Sequence, residues 1–162
     1  MSAAEARRLA WAYLSTVAQG ASRMLNAAIE ADGPEAVAAA VRDGSIGGAL
    51  RRRTAARAHL DSAAQDLELV ARLGGRLVTP DDAEWPAWQL LAFDGLDGAD
   101  TDAAPVALWV VGRRRIDELV ERSVAVVGTR AASGYGENVT AEIAGDLAVD
   151  GWAVLSGAAF GV

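Results

Sequence analysis

The residues best suited to chemistry lie in the segment Val127-Gly128-Thr129-Arg130-Ala131-Ala132-Ser133-Gly134-Tyr135-Gly136. It follows an apolar run, Ser123 to Val127, and precedes a stretch in which Tyr135, Val139, Ile143 and Leu147 recur four apart. The segment therefore reads as the turn between a buried strand and a helix. Open α/β sheets bind ligands at that place, outside the carboxyl ends of their strands. Gly128 allows a sharp turn, Thr129 offers a hydroxyl, and Arg130 offers a planar fork suited to a phosphate. Ser133 is placed to cap the helix, whose first amides favour an anion. A further apolar run, Trp152 to Leu155, ends in Ser156-Gly157. If the two strands run parallel, both loops open on one edge of the sheet and form a phosphate-binding cleft. The plainer alternative is that the glycines serve only tight turns and Arg130 is a surface residue. The pattern is neither GxGxxG nor a Walker loop with its Lys, so it gives little support to dinucleotide binding or NTP hydrolysis.

The elements that must position this segment follow from periodicity. Residues 1–75 read as a small helical domain. Leu9, Tyr13, Leu14 and Val17 share one face, and Met24, Leu25 and Ile29 begin a second. Asp32-Gly33-Pro34-Glu35 restarts a helix that Asp43-Gly44 ends. After Gly47-Gly48 a longer helix is expected to run to about Leu73, burying Leu60, Ala64, Leu67 and Val70 before Gly74-Gly75 closes it. Residues 76–105 form a lead-in: an extended piece at 76–80, a short apolar helix through Trp88, Leu90 and Leu91, and a mobile Gly- and Asp-rich loop from Asp94 to Pro105. From 106 the rhythm turns to β/α, with strands at 106–111, 123–127 and 152–155 expected to be parallel and buried on both faces. Three strands are fewer than the roughly five or six of a doubly wound sheet. The chain thus reads as the front portion of a longer, Rossmann-like α/β domain, occupying 106–162.

Composition narrows the function classes. The 162 residues are 52% apolar and 23% charged, which fits a folded chain and not a disordered one. With no Cys and a single His, a disulfide scaffold, a Cys-held zinc or iron–sulfur site and thiol catalysis are excluded, and a Ser-His-Asp triad is implausible. No metal or cofactor is expected. The lack of a signal-peptide core and of a long apolar run points to a soluble, cytoplasmic protein. The net charge of −7 argues against a generic coat for nucleic acid. The charge is uneven, however: residues 1–75 carry nine Arg against eight acids, and residues 76–162 six Arg against fourteen. A local basic site is therefore open.

The series strand–GTRAASGYG–helix–strand–SGAAFG resembles the DNA-processing protein DprA (Smf) family, in its actinobacterial form. Arg76-Leu77-Val78-Thr79-Pro80-Asp81-Asp82-Ala83-Glu84-Trp85-Pro86 resembles that family's lead-in, and Val106 to Gly112 matches its P-x-x-L-[YW]-x-x-G strand. The helical front is similar to the family's sterile-alpha-motif-like domain. The resemblance implies a Rossmann-like domain that binds single-stranded DNA and loads RecA during natural transformation, as a homodimer and without a catalytic reaction. Gly128, Thr129 and Arg130 fall on the family's G-[ST]-R motif, Ser133, Gly134 and Gly136 on the loop and helix start behind it, and Ser156, Gly157 and Gly161 on its S-G-x-A-x-G motif. The chain ends before the family's later basic residues and dimer surface. Alone, it is expected to bind single-stranded DNA poorly, because affinity grows with the phosphates neutralised. A phosphoribohydrolase-type enzyme is the first alternative, although its P-G-G-x-G-T-x-x-E signature is absent. A protein-interaction module with a vestigial cleft is the second.

Other residues have plainer readings. Arg51-Arg52-Arg53 with Arg57 form a basic patch that could touch a DNA backbone, or a solvated face on which Arg57 pairs with Asp61. Arg113-Arg114-Arg115 reads as part of a charged surface helix, and His59 as a helix-face residue. Trp11, Trp109 and Trp152 are expected in the core, with Trp85 and Trp88 pinning the lead-in to the sheet.

Overall fold

Ser2 starts the first helix by accepting a hydrogen bond from the Glu5 amide, while the Glu5 carboxylate accepts one from the Ser2 amide. This reciprocal cap opens helix α1, Ala3–Val17. The computed structural model describes residues 1–18, 20–93 and 98–157. Contacts divide the chain into two units, Met1–Arg113 and Arg114–Val162.

In the first unit, α1 is the centre. Tyr13, Leu14 and Val17 are 0% exposed, and the core closes around them with Leu25, Ile29, Val37 and Val41. Those partners come from α2 (Arg23–Asp32) and α3 (Pro34–Arg42). Gly33 lies between these two helices at φ +83°, and Pro34 takes the first turn of α3, as the Gly-Pro punctuation predicts. The Tyr13 hydroxyl donates to the Ala58 carbonyl at 2.8 Å, and the Arg42 guanidinium lies 4.0 Å from the centre of its ring.

The long helix expected after Gly48 is two. Helix α4 spans Gly48–Thr54, a run of turns follows, and α5 spans Ala63–Arg72. The break leaves Leu60 exposed and buries Ala63 and Val70. It also separates the expected Arg57–Asp61 pair: Asp61 binds Arg42 at 2.9 Å, and Arg57 donates to the Thr16 carbonyl. Gly74 then takes φ +70° beyond the end of α5. At Gly75 a Cβ would stand 2.3 Å from the Val110 carbonyl oxygen, so the strand that begins there has room for glycine alone.

That strand, β1 (Gly75–Val78), pairs antiparallel with β2 (Leu108–Val111), Leu77 opposite Trp109. The 106–111 strand therefore pairs with the lead-in strand, and it is not buried on both faces. Leu77 and Val78 of β1 are buried, but β2 has no buried residue. Trp109, expected in the core, is 38% exposed and donates to the Ser15 hydroxyl. Between the strands lie α6 (Ala87–Leu90) and a 3-10 turn, Leu91–Phe93. Trp88 pins nothing, being 80% exposed.

The loop before β2, expected to move freely, is tethered in its described part. The Asp100 carboxylate accepts from the Ser22 hydroxyl at 2.7 Å and the Met24 amide at 2.8 Å, at the start of α2. The Arg23 guanidinium and the Asn26 amide hold the carbonyls of Asp102 and Ala104. Residues 94–97 of that loop lie outside the described residues.

The second unit holds α7 (Ile116–Glu121), β3 (Ser123–Ala125), α8 (Gly134–Val149) and β4 (Ala153–Leu155). Here β3 and β4 pair parallel, Val124 opposite Val154, with α8 as the connection. The fold is thus mixed α/β behind a helical N-terminal region, as the sequence predicts. The expectation of strands buried on both faces fails again, since a two-stranded sheet covers so little that no described residue of β3 or β4 is buried. Trp152 is half-buried, 4.8 Å from the Arg122 guanidinium.

One polar network ties the turn after β1 to α1. Arg7 grips Asp81 through two bonds of 2.7 and 2.8 Å, the Trp11 indole donates to Asp81 at 2.6 Å, and Arg8 binds Asp82 at 2.7 Å. The Arg7 guanidinium holds the Asp81 carboxyl below the usual carboxylate range, against an opposing effect of burial. Arg7 and Asp81 are 42% and 40% exposed, so solvent screens the pair and its contribution is modest. Because the folded pKa is depressed, that contribution is complete above the unfolded value of about 3.9 and is lost as pH falls through the folded value. Urea midpoints should therefore hold level from about pH 7 to about pH 5 and drop below about pH 4. Arg7→Ala should flatten part of that drop, and an equally steep drop in the variant would remove Asp81 from the account.

Candidate functional site

Strand β3 delivers the candidate segment. Its ladder with β4 extends one bond further, the Val126 amide donating to the Leu155 carbonyl at 2.8 Å, and the chain then leaves the sheet. Gly128, Thr129 and Arg130 follow as irregular, exposed backbone. Because β3 and β4 are parallel and in register, the loop after β3 and the Ser156-Gly157 loop leave from the same edge. The structure thus brings Gly128 to Gly136 and Ser156-Gly157 to one side of the parallel pair. Gly161, the remaining residue of the expected set, lies outside the described residues.

The local chemistry differs in detail from a simple row of donors. The Thr129 hydroxyl oxygen already accepts from the Ala131 amide at 3.1 Å, which folds the loop over. Ser133 is the N-cap, as its type predicts: its backbone is extended, at φ −78° and ψ 157°, and its Oγ accepts from the Gly136 amide at 3.2 Å. The cap occupies the Gly136 amide, and the amides of Gly134 and Tyr135 remain at the open first turn of α8. Apart from chain neighbours and the helix's own backbone, no heavy atom of the described residues stands within 4 Å of the Cβ position of Gly134 or Gly157.

Arg130 is exposed and forms no ion pair among the described residues. Its positive charge is thus available to an anion. Glu137 works the other way: it sits in the first turn of α8, where it suits the helix dipole but repels a phosphate. Periodicity assigned Tyr135 to the apolar face of α8, yet it is 80% exposed at the start of that helix. An exposed aromatic ring can stack a base. Its signal in the sequence was an aromatic residue between two glycines at a helix start, where packing has no use for it.

A cleft in the other unit was not foreseen. Its volume is about 440 Å³, and Trp11, Ile29, Pro34, Pro80 and Trp85 line it together with the Arg7–Asp81 pair. Among the described residues, no helix is long and apolar enough to cross a membrane, and no His, Asp or Glu cluster is placed to hold a metal ion.

Comparison with known proteins bears on both units. Residues 76–162 match the family model described as DNA recombination-mediator protein A. The chain is also similar to two curated proteins of Mycobacterium tuberculosis, from strains CDC 1551 / Oshkosh and ATCC 25618 / H37Rv, each named "Putative DNA processing protein DprA". Each is 48% identical over 158 residues, which cover 94% of this chain and 40% of the relative. The chain therefore spans about two-fifths of those relatives' length.

The cap gives a local test. Ser133→Ala should cost about 1 kcal/mol of helix stability. Hydrogen exchange should show faster exchange at the Gly136 amide and its neighbours in the first turn of α8, with the amides of α1 unchanged. Unchanged exchange at Gly136 would mean that the hydroxyl does not cap the helix.

Proposed function

Since the chain belongs to the DNA recombination-mediator protein A family, we propose that its 123–157 region carries part of a binding site for single-stranded DNA. The proposed role of the whole protein is to bind such strands and load RecA onto them in DNA uptake and natural transformation, as a homodimer and without catalysing a reaction. The observation that carries this reading is the parallel β3–β4 edge, which sends two glycine-bearing loops to one side, with Arg130, in no ion pair among the described residues, between strand and helix.

In this reading the Arg130 guanidinium takes a backbone phosphate, and the first amides of α8 add a partial positive charge behind it. Gly128, Gly134, Gly136, Ser156 and Gly157 form the loops that let the strand approach, and Gly161 is proposed as a further member of the site. Thr129 and Ser133 shape the first loop through the bonds they already make. Tyr135 stacks a base. Binding by one arginine and one helix end is weak, and it depends on salt because captured phosphates release counterions.

Fluorescence anisotropy with a labelled oligo-dT, on this chain at low ionic strength, tests the proposal. Arg130→Ala should weaken binding roughly tenfold, the loss of one charged hydrogen-bonding group. It should also reduce the slope of log K against log salt by about 0.7, one single-strand phosphate contact. An unchanged affinity and slope would take Arg130 out of the site.

A further inference from the structure

We infer that the segment 44–60 forms a second, separate surface for a polynucleotide backbone, centred on Arg51, Arg52 and Arg57. The choice of partner rests on the DNA-binding reading above; the surface itself rests on different residues. Between Asp43 and Asp61 the chain has four arginines and its one histidine but no acid, within a protein of net charge −7. The two flanking acids are engaged elsewhere. Asp61 binds Arg42 at 2.9 Å, and Asp43 accepts from the Ser45 amide at 2.8 Å.

The fold sorts these arginines. Arg53 turns inward, donating to the Ala21 carbonyl at 2.6 Å and lying 3.4 Å from Asp100. Arg51, Arg52, Arg57 and His59 stay exposed, and among the described residues none of the three arginines joins an ion pair. Arg57 donates one N–H to the Thr16 carbonyl at 3.3 Å, which uses one of its five donors. Elsewhere Arg7, Arg8, Arg42, Arg76 and Arg115 each meet a carboxylate; in this segment Arg51, Arg52 and Arg57 join no ion pair among the described residues.

The surface is also held in shape. Thr54 is buried, with its hydroxyl on the Leu50 carbonyl at 2.9 Å. Leu50 and Ala58 lean on the core, and the buried Tyr13 hydroxyl grips the Ala58 carbonyl. The backbone bonds from Ala55 to Arg51, from Ala58 to Thr54 and from Leu60 to Arg57 hold the turns after α4 in place. Arg51, Arg52, Arg57 and His59 are spread along α4 and these turns. Between them the exposed side chains of Ala55 and Ala56 are small, so a nucleic-acid backbone can lie close. Guanidinium groups on such a rigid, low surface match phosphodiesters in charge and in geometry. Such contacts position a strand without reading its sequence.

The test is an amide NMR titration of the full chain with an unlabelled dT oligonucleotide at low ionic strength, repeated with polyglutamate. Signals of residues 50–60 should shift with the oligonucleotide, should return as salt is raised, and should not shift with polyglutamate. In the Arg51→Gln/Arg52→Gln variant the same signals should respond roughly tenfold more weakly. Since both side chains are exposed, the rest of the spectrum should be preserved. An oligonucleotide that leaves residues 50–60 unmoved overturns the inference, and so does an equal response to polyglutamate, which would make the patch a sink for any polyanion. Signals of residues 128–136 report the proposed cleft in the same spectra. Shifts there with none at 50–60 sink this inference alone, and shifts at 50–60 with none at 128–136 sink the cleft alone.

Discussion

Helix α1 has an apolar face that water cannot be left to cover, and the first unit is arranged to bury it. Tyr13, Leu14 and Val17 are sealed completely. Burial of each such side chain stabilises the fold by about 1.5–3 kcal/mol. Once α1 is enclosed by α3 and α5, its two ends can serve as anchors. Near its start, Arg7, Arg8 and Trp11 hold Asp81 and Asp82, which fixes the turn after β1. Near its end, the carbonyl of Thr16 and the hydroxyl of Tyr13 hold the turns after α4, where the arginines collect. The charged network is placed by the core; it does not replace it.

The second unit is built on the opposite balance. Its parallel pair has an apolar composition, but no described residue of the pair is buried, and Val127, Tyr135 and Ile143 are exposed. What is well defined there is local: a ladder between β3 and β4, a serine cap, and a threonine-bonded loop. Such a region opens easily, since few apolar contacts resist it. It suits a ligand-binding edge, where the loops carry the chemistry and the strands only aim them.

Elements whose signals are local were legible in the sequence. Gly33-Pro34, Gly74-Gly75 and Ser133 each act through their own backbone, and the structure uses all three as their types predict. The parallel β3–α8–β4 unit was also legible, because uninterrupted apolar runs and a helical period sit side by side. What failed depended on distant partners. The helix after Gly48 breaks near Ala55 although no Gly or Pro marks the place, and Asp61 goes to Arg42, nineteen positions away in the chain. The loop at 98–105 looked free because its acids are polar, yet Asp100 and the neighbouring carbonyls cap and brace α2. By type alone Trp109 looked like core and Trp88 like a pin for the lead-in, and type does not say whether a sheet face has a cover. For the site, the positions of Gly128 to Ser133 followed from strand and helix. The local use of the Thr129 and Ser133 oxygens, and the exposure of Tyr135, required coordinates.

A well-buried helical unit carries the chain's stability, while the strand edge of the other unit stays open. Native-state hydrogen exchange, read residue by residue without DNA, tests this most directly. Amides of α1 and α3 should exchange only through near-global unfolding, and those of β3 and α8 should exchange far faster, through local opening. Equal protection in α8 and α1 would contradict the account.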